Sequence, residues 1–323
     1  MIKVGVIGLI LLGWLGTWNL SPLPKQDPDL KSLGAALFFD PTLSIDESLS
    51  CSSCHQPALA FTDGKQVAIG VDGRKGTRNT MTLMNLETIH TGYFWDGRVM
   101  ELEEQVLHPI TQHQEMGADL KQVLVKLSKN SNYHWLFEGS AMGENPTERL
   151  GKALAAYLRS ITLNDSKFDR VMAGKENFTL SEERGWAIFF DATDFLPHGE
   201  CSHCHVDPHF TNHQFFNNGI SAIDLSNLPE DQGQGGVTGI PQQIGRFRTP
   251  TLRNIAVTAP YMHDGRFQTL EEVMDHYNLG GQQGFNVNPN VRPLHLTKED
   301  IEDVIAFLYT LTDSSLEQNK IWP

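Results

Sequence analysis

Apolar side chains recur with the period of an α-helix in several segments of this chain. Residues 28–39 and 147–161 each carry such an apolar stripe. A further helix is predicted to begin at Thr297, because the apolar residues after it fall at i, i+3, i+4 and i+7: Ile301, Val304, Ile305 and Leu308. Few runs alternate as strands do, and stretches rich in Gly and Asn at 62–80 and 217–247 predict loops. The pattern therefore predicts a mainly α fold.

Two more helix starts are marked by the spacing of a capping box. Thr179 is followed three residues later by Glu182, and Thr269 is followed in the same way by Glu272. In this motif the two side chains satisfy backbone N–H groups that the first turn leaves without partners. We therefore expect helices to begin after both threonines.

The N-terminal segment differs from the rest of the chain. It has one early charge, Lys3, and then no charged residue from Val4 to Pro24. That is the pattern of a secretory signal peptide, although the usual small-residue cleavage site is missing. An uncleaved membrane anchor is the alternative, with an apolar part near the short end for a spanning helix. We expect export, to a bacterial periplasm, and exclude residues 1–24 from the fold.

The formal net charge of −14 narrows the choice of partners. Nucleic acid is excluded as a partner, because binding a phosphate backbone needs clustered Lys and Arg. A basic protein partner is compatible with this charge through electrostatic steering.

The four cysteines fall in two Cys-x-x-Cys-His motifs: Cys51, Cys54 and His55, and Cys201, Cys204 and His205. A zinc ribbon would bring its two pairs far closer together in sequence, and a redox dithiol would explain one pair without its histidine. Disulfides are plausible in an exported protein but do not require either histidine. The pattern is that of c-type haem attachment, in which two thiols bind the haem vinyl groups and the adjacent imidazole reaches the iron. We therefore predict two covalently bound haem c groups.

The chain also contains an internal repeat. Each haem motif is preceded by a similar segment and followed by two more, in the same order: Gly34–Asp40 and Gly185–Asp191, Thr80–Asn85 and Thr249–Asn254, Asp96–Glu104 and Asp264–Glu272. This predicts two cytochrome c-like haem lobes related by internal duplication, and not a solenoid, whose period would be much shorter. We place the N-terminal lobe at residues 25–166 and the C-terminal lobe at 167–323.

With these motifs the sequence resembles the bacterial di-haem cytochrome c peroxidase and MauG family. The matching stretches are both haem motifs and five others: FTDG at 61–64, FWDGR at 94–98, EMG at 115–117, TPTLRN at 249–254 and TAPYMHDGRFQTLEE at 258–272. The resemblance covers nearly all of the chain after residue 24. It implies that the N-terminal haem reacts with H2O2 and that the C-terminal haem transfers electrons.

The resemblance also places a sixth iron ligand of the second haem at Tyr277, with Met274 one turn earlier as the fallback. Both lie on one face of the helix predicted after Thr269, a face that without haem would simply be core. Counting from the shared Leu-Glu-Glu, the first lobe has Pro109 in place of Tyr277, and proline cannot bind iron. It has Gln105 in place of Val273, and a buried amide requires a polar partner such as peroxide or water. The first lobe is thus predicted to be open to peroxide and the second closed.

Three further roles follow from the resemblance. Glu115 of EMG matches the catalytic glutamate that moves a proton between the peroxide oxygens, although a lone loop glutamate is more often solvated. Trp95 matches the tryptophan that lies between the haems and relays electrons. The alternative is a core aromatic that anchors a helix start, which is compatible with that relay. A calcium site between the haems would use Asn79 with the carbonyl oxygens of Thr258 and Pro260, since oxygen ligands suit Ca²⁺.

One departure from many family peroxidases concerns the loop after the first haem motif. Those enzymes have a histidine there that caps the peroxide site, whereas this chain has no histidine between His55 and His90, and Val71 is at the nearest matching position. The missing cap and a tyrosine ligand both point toward MauG-like members, which oxidise aromatic residues of a partner protein.

The sequence thus predicts a periplasmic di-haem c-type peroxidase that takes electrons from a c-type cytochrome or a cupredoxin. The alternative within enzymes is a MauG-like, H2O2-dependent oxidase of Tyr or Trp in a protein substrate. A rival from another class is a pure electron-transfer cytochrome. It would need a protein ligand on both sides of the first iron, from His108 or His113.

Overall fold

Helices form most of the regular structure in the computed structural model, which describes residues 29–138 and 145–317. The segment predicted to be a signal peptide or anchor lies outside the described residues. In chain order the α-helices are α1 (Leu30–Phe38), α2 (Cys51–Cys54), α3 (Leu102–Gln105), α4 (His108–Thr111), α5 (Leu120–Leu127), α6 (Pro146–Arg159), α7 (Lys167–Met172), α8 (Leu180–Phe189), α9 (Gln234–Thr238), α10 (Leu270–Asn278), α11 (Lys298–Tyr309) and α12 (Ser314–Glu317). The prediction of a mainly α fold is confirmed.

Two strands of two residues each form a small antiparallel sheet. In this sheet β1 (Phe215–Phe216) pairs with β2 (Phe247–Arg248), and Phe215 lies opposite Arg248. The segment 217–247 between them was predicted to be loop only, but it also contains α9. Within the described residues, no helix is long and apolar enough to cross a membrane.

The predicted capping threonines begin their helices as expected. Thr179, Thr269 and Thr297 each accept a hydrogen bond from the backbone N–H three residues later and form a reciprocal capping box. The short helix α12 follows the helix that begins after Thr297. The local sequence signals were therefore sufficient to locate these helix starts.

Two helix pairs cross closely, and each crossing requires a glycine. A Cβ atom added at Gly34 of α1 would lie 1.9 Å from the carbonyl oxygen of Ala153 in α6. A Cβ atom added at Gly185 of α8 would likewise lie 1.9 Å from the carbonyl oxygen of Asp303 in α11. Gly34 and Gly185 occupy the same position of the sequence repeat, so the two halves of the chain use the same packing device. The duplication itself stays a prediction from the sequence.

The buried side chains form two hydrophobic clusters that follow the order of the chain. The first draws on residues between Leu33 and Leu163 together with Leu316 of α12. The second draws on residues between Phe168 and Leu311. The end of the chain thus packs back on the first cluster. The predicted lobe boundary at residues 166 and 167 stays a prediction.

Candidate functional site

Each Cys-x-x-Cys-His motif opens onto its own cleft. The first cleft contains Cys51, Cys54 and His55, and has about 2080 Å³ of empty space including its mouth. The second contains the cysteines and the histidine of the other motif and has about 1930 Å³ on the same measure. Both volumes include open solvent at the mouth, so they describe a cleft with its opening and not an enclosed cavity. Each motif thus faces open space into which an attached group could extend.

The two histidines are held in the same way. Nδ1 of His55 lies 2.9 Å from the carbonyl oxygen of Phe61, and Nδ1 of His205 lies 3.0 Å from that of Phe210. Both phenylalanines have positive φ angles, 61° and 52°, which turn these carbonyl groups toward the rings. A neutral imidazole that donates from Nδ1 keeps the lone pair of Nε2 for a metal. Burial lowers the pKa of His205 to about 4 and also lowers that of His55, so both rings are neutral.

The four cysteine side chains are free thiols in buried surroundings. None forms a disulfide. Burial raises the pKa of Cys51 to about 12, that of Cys54 to about 11 and that of Cys201 to about 12, and it also raises the pKa of Cys204. Thiols with raised pKa values are poor nucleophiles and poor redox dithiols at neutral pH. The alternative of an exposed redox pair is therefore unfavourable at both motifs.

The first cleft contains a polar group without a partner. Gln105 lines the cleft at the end of α3, and its Oε1 is buried without a hydrogen-bond partner among the described residues. The helix stops there and resumes as α4, whose second residue is Pro109, because proline lacks the N–H that a continuous helix needs. Pro109 also lines the cleft. A buried acceptor without a partner lowers the stability of the fold by about 1–3 kcal/mol. Gln105 is therefore suited to a ligand that donates a hydrogen bond.

Glu115 lines the same cleft as Gln105. Burial raises the pKa of the Glu115 carboxyl, and the positive charge of Arg98 opposes this only in part. The backbone carbonyl oxygen of Glu115 accepts a hydrogen bond of 2.8 Å from the N–H of Val71. A Cβ atom on Gly70 would lie 2.4 Å from that same oxygen, so the loop after the first haem motif packs tightly against this segment. The backbone of Glu115 is thus held firmly, and the residue is partly buried at the cleft.

One side of the second cleft is relevant to iron binding. Tyr277, Met274 and Met262 all line this cleft together with His205. Burial raises the pKa of the Tyr277 hydroxyl to about 12, and its oxygen accepts a hydrogen bond of 3.2 Å from Nδ2 of Asn218. Met274 is only 5% exposed and belongs to the second hydrophobic cluster. These three residues therefore offer a phenol oxygen and two thioether sulfurs.

A wall of residues separates the two clefts and lines both of them: Asn79, Thr80, Met81, Thr82, Leu86 and Arg248. Trp95 lies against this wall on the side of the second cleft, and its Nε1 donates a hydrogen bond of 2.9 Å to the carbonyl oxygen of Asn79. Its side chain is 8% exposed. The Trp95 indole is thus hydrogen-bonded to the residues that separate the two clefts.

The three residues predicted to bind calcium line the second cleft together: Asn79, Thr258 and Pro260. The amide nitrogen of Asn79 donates to the carbonyl oxygen of Lys65 at 2.9 Å, so its acceptor oxygen remains available to a cation. The calcium site stays a prediction, because proximity to one cleft does not establish a coordination shell.

Comparison with known proteins agrees with this geometry. A sequence model of the family described as "Di-haem cytochrome c peroxidase" matches residues 28–177. The methylamine utilization protein MauG of Methylorubrum extorquens is 33% identical over 90% of this chain and 81% of its own. This chain belongs to the di-haem cytochrome c peroxidase and MauG family.

Other members support the same assignment. Cytochrome-c peroxidase IdrP1 of Pseudomonas sp. (strain SCT) is 31% identical over 91% of this chain and 84% of its own. The crystal structure of a MauG-like protein associated with microbial copper homeostasis superposes with a TM-score of 0.79, at 31% identity, over 93% of this chain and 96% of that one. The prediction of a haem peroxidase enzyme is confirmed, and membership of a di-haem family implies haem c cofactors.

Because the chain belongs to a di-haem family, the residues at both Cys-x-x-Cys-His motifs should suit haem binding, and they do. Each cleft of this family member offers two buried free thiols and an imidazole whose Nδ1 already has a partner. This is the donor set that covalent haem attachment needs. Attachment at these two motifs stays a prediction, which the geometry supports.

Two residues that line the site were not predicted from the sequence. Arg248 is 5% exposed, and its guanidinium donates to the carbonyl oxygen of Gly92 at 3.2 Å and to the sulfur of Met81 at 3.5 Å. Asn218 bonds Tyr277 from a loop far away in sequence. The position of Arg248 directly before the TPTLRN stretch at 249–254 was the one available signal. Asn218 had none, because its partner is brought to it only by folding.

Proposed function

We propose that this protein is a periplasmic di-haem peroxidase. It reduces H2O2 in the first cleft, with electrons relayed through the second. The observation that carries the proposal is the buried, unpartnered Oε1 of Gln105, which lies in the same cleft as Glu115 and the first haem motif. In the second cleft the matching helix is continuous and presents Tyr277 instead. A haem attached at Cys51 and Cys54 would supply a redox-active iron.

The side chains of the first cleft have distinct tasks in this proposal. Gln105 accepts a hydrogen bond from an O–H group of H2O2 and so orients the peroxide. The Glu115 carboxylate takes a proton from one peroxide oxygen and returns it to the other. Two electrons from the cytochrome or cupredoxin donor and two further protons from solvent complete the reduction of H2O2 to two water molecules. A carboxylate with a raised pKa is suited to both transfers, because its two protonation states are closer in energy near neutral pH.

Electrons reach the first cleft from the second in this proposal, with Trp95 and the wall residues as the relay. The donor is a small c-type cytochrome or a cupredoxin with a basic docking face, which the net charge of −14 favours. A cation such as Ca²⁺ at Asn79, Thr258 and Pro260 would stabilise the wall. The signal-like segment 1–24 supports a periplasmic location.

The second candidate function is a MauG-like oxidation of Tyr or Trp in a partner protein. Two observations favour it, the tyrosine at 277 and the absence of a histidine cap. Val71, at the position nearest to that cap, is 1% exposed and is not among the described residues that line the first cleft. Stopped-flow mixing with H2O2 distinguishes the two functions. A peroxidase turns over rapidly with a reduced small cytochrome, whereas a MauG-like oxidase remains oxidised until it meets its protein substrate.

The electron-transfer rival fits the first cleft poorly. Neither His108 nor His113 is among the described residues that line it. His108 contacts the ring of Phe94 edge-on at 5.8 Å and lies 3.6 Å from a carboxylate oxygen of Glu104. Both histidines would have to move into the cleft to bind iron.

The as-isolated, diferric protein is expected to consume H2O2 without prior reduction. The reason is that no histidine side chain other than His55 lines the described part of the first cleft. The measurement is stopped-flow absorbance after mixing with H2O2, alongside the resting-state spectrum, which should show one high-spin haem. A lag that only a one-electron reduction removes would show that another residue caps the site.

Replacing Tyr277 with methionine is expected to raise the reduction potential of the second haem and to shorten the lifetime of the peroxide-oxidised protein. A phenolate ligand donates strongly to ferric iron and lowers the potential, whereas a thioether raises it. Spectroelectrochemistry and the decay of the oxidised protein measure the two effects. Met274→Leu is the matched control on the same helix face and should change neither. If Met274→Leu shifts the potential instead, Met274 is the ligand and the MauG-like reading is wrong.

A further inference from the structure

Asn218 lies in the second cleft, on the loop that follows β1, and its amide nitrogen faces two candidate iron ligands. Nδ2 is 3.2 Å from the hydroxyl oxygen of Tyr277 and 3.3 Å from the sulfur of Met262. A carboxamide nitrogen carries two hydrogens, so it can donate to both acceptors at once. We infer that Asn218 selects the ligand of the second haem by holding the Tyr277 oxygen and occupying a lone pair of the Met262 sulfur. The inference rests on the proposed function.

The orientation of this amide is fixed by its other contacts. Its Oδ1 accepts a hydrogen bond of 3.3 Å from the backbone N–H of Ile220, so the NH2 end must face the phenol and the thioether. The carbonyl oxygen of Asn218 faces Nε2 of His276 at 3.0 Å, and the next carbonyl, of Gly219, accepts from the N–H of Gln282 at 2.7 Å. The loop is thus fastened to α10, the helix that carries Tyr277, and to the segment after it.

Hydrogen bonds of this kind affect the two candidate ligands in opposite ways. A phenol oxygen has lone pairs to spare, so it can accept from Asn218 and still bind iron. A donor directed at an oxygen that becomes anionic is stabilising, because charge-assisted hydrogen bonds are the stronger class. A thioether sulfur is a weak ligand and a weak acceptor, and the lone pair that Asn218 occupies is less available to a metal. Both effects favour tyrosine over Met262.

Met274 serves as the internal comparison. It lines the same cleft but is packed in the second hydrophobic cluster, and Asn218 donates to Met262 and not to it among the described contacts. A change at Asn218 should therefore release Met262 and leave Met274 unaffected.

The test uses the full di-haem protein with Asn218→Leu, which removes both donors and keeps the number and branching of the side-chain heavy atoms. The expected result is loss of the phenolate-to-iron charge-transfer signal, appearance of the near-infrared band of a thioether-bound ferric haem, and a higher reduction potential. Asn218→Asp replaces the donor nitrogen by an oxygen at the same size and keeps an acceptor for Ile220. If the Asn218→Leu protein does not carry both haems, Asn218→Asp provides the test instead. Adding Met262→Leu to either variant should abolish the thioether band, whereas adding Met274→Leu should not.

The outcomes separate this inference from the proposed function. One outcome is that Asn218→Leu and Asn218→Asp keep the wild-type signal and potential while Tyr277→Phe changes both. In that case Asn218 does not select the ligand, and the proposed function stands. If Tyr277→Phe leaves the signal unchanged, Tyr277 is not the ligand and the inference is wrong. The reaction of each variant with H2O2, followed at the first haem, reports on the peroxidase function independently.

Discussion

Replacing Glu115 with glutamine is expected to slow the reaction of the di-haem protein with H2O2 by ~10²-fold or more, the usual scale for a lost acid–base group. Glutamine keeps the size and hydrogen-bonding capacity of the side chain but cannot take a proton from peroxide. Both haems should remain attached, because Glu115 lies outside the two attachment motifs. Stopped-flow absorbance with excess H2O2 gives the rate.

The pH dependence of this reaction gives a second measure of the same group. Burial raises the pKa of Glu115, so the carboxylate is lost as the pH falls through a value above the usual range for glutamate. The wild-type rate should fall on acidification through that value, and Glu115→Gln should lack this step. Glu104→Gln changes a neighbouring glutamate whose side chain is 65% exposed, and should leave rate and profile as they are. An unchanged rate in Glu115→Gln would remove this residue from the mechanism.

Replacing Cys51 and Cys54 together with serine is expected to reduce the covalently bound haem from two groups per chain to one and to abolish the reaction with H2O2. A hydroxyl does not form the thioether bond, and the first cleft would lose its redox group. Mass spectrometry of the denatured protein counts the remaining haem. Serine is close in size to cysteine, so the change leaves most of the first hydrophobic cluster, against which Cys51 packs, in place.

The matched pair Cys201→Ser and Cys204→Ser provides the control. It should also leave one covalent haem, but the first encounter with H2O2 should survive while reduction by a small cytochrome is lost. The opposite result, in which the second pair abolishes the reaction with peroxide and the first does not, would exchange the roles of the two clefts. Equal loss in both variants would indicate that neither cleft reacts alone.

The features that sequence could predict were local ones. The capping boxes at Thr179 and Thr269 form within a single helical turn, and each haem motif spans five contiguous residues. The features that it could not predict depend on contacts between distant segments. Asn218 meets Met262 across 44 positions, and the buried Arg248 reaches Met81 across 167. No periodicity or motif encodes such contacts, because they exist only after the two hydrophobic clusters have packed.

The break between α3 and α4 could be predicted from the sequence only in part. Counting from the repeat aligned Gln105 with Val273 and Pro109 with Tyr277, and all four residues line their respective clefts. The count could not show that the helix stops after Gln105, or that its Oε1 is left without a partner. Those two facts follow from the backbone around Pro109, which the matching helix in the second lobe does not share.

The buried guanidinium of Arg248 affects how readily an electron can be added at either of the two clefts. It lies in the wall that both clefts share, and burial lowers its pKa to about 10, so at neutral pH it carries a full positive charge that water screens poorly. That charge favours an added electron on either side of the wall. Because the same charge lies beside both clefts, it would raise the reduction potential of a haem held in either one, and neutralising it would lower both potentials together.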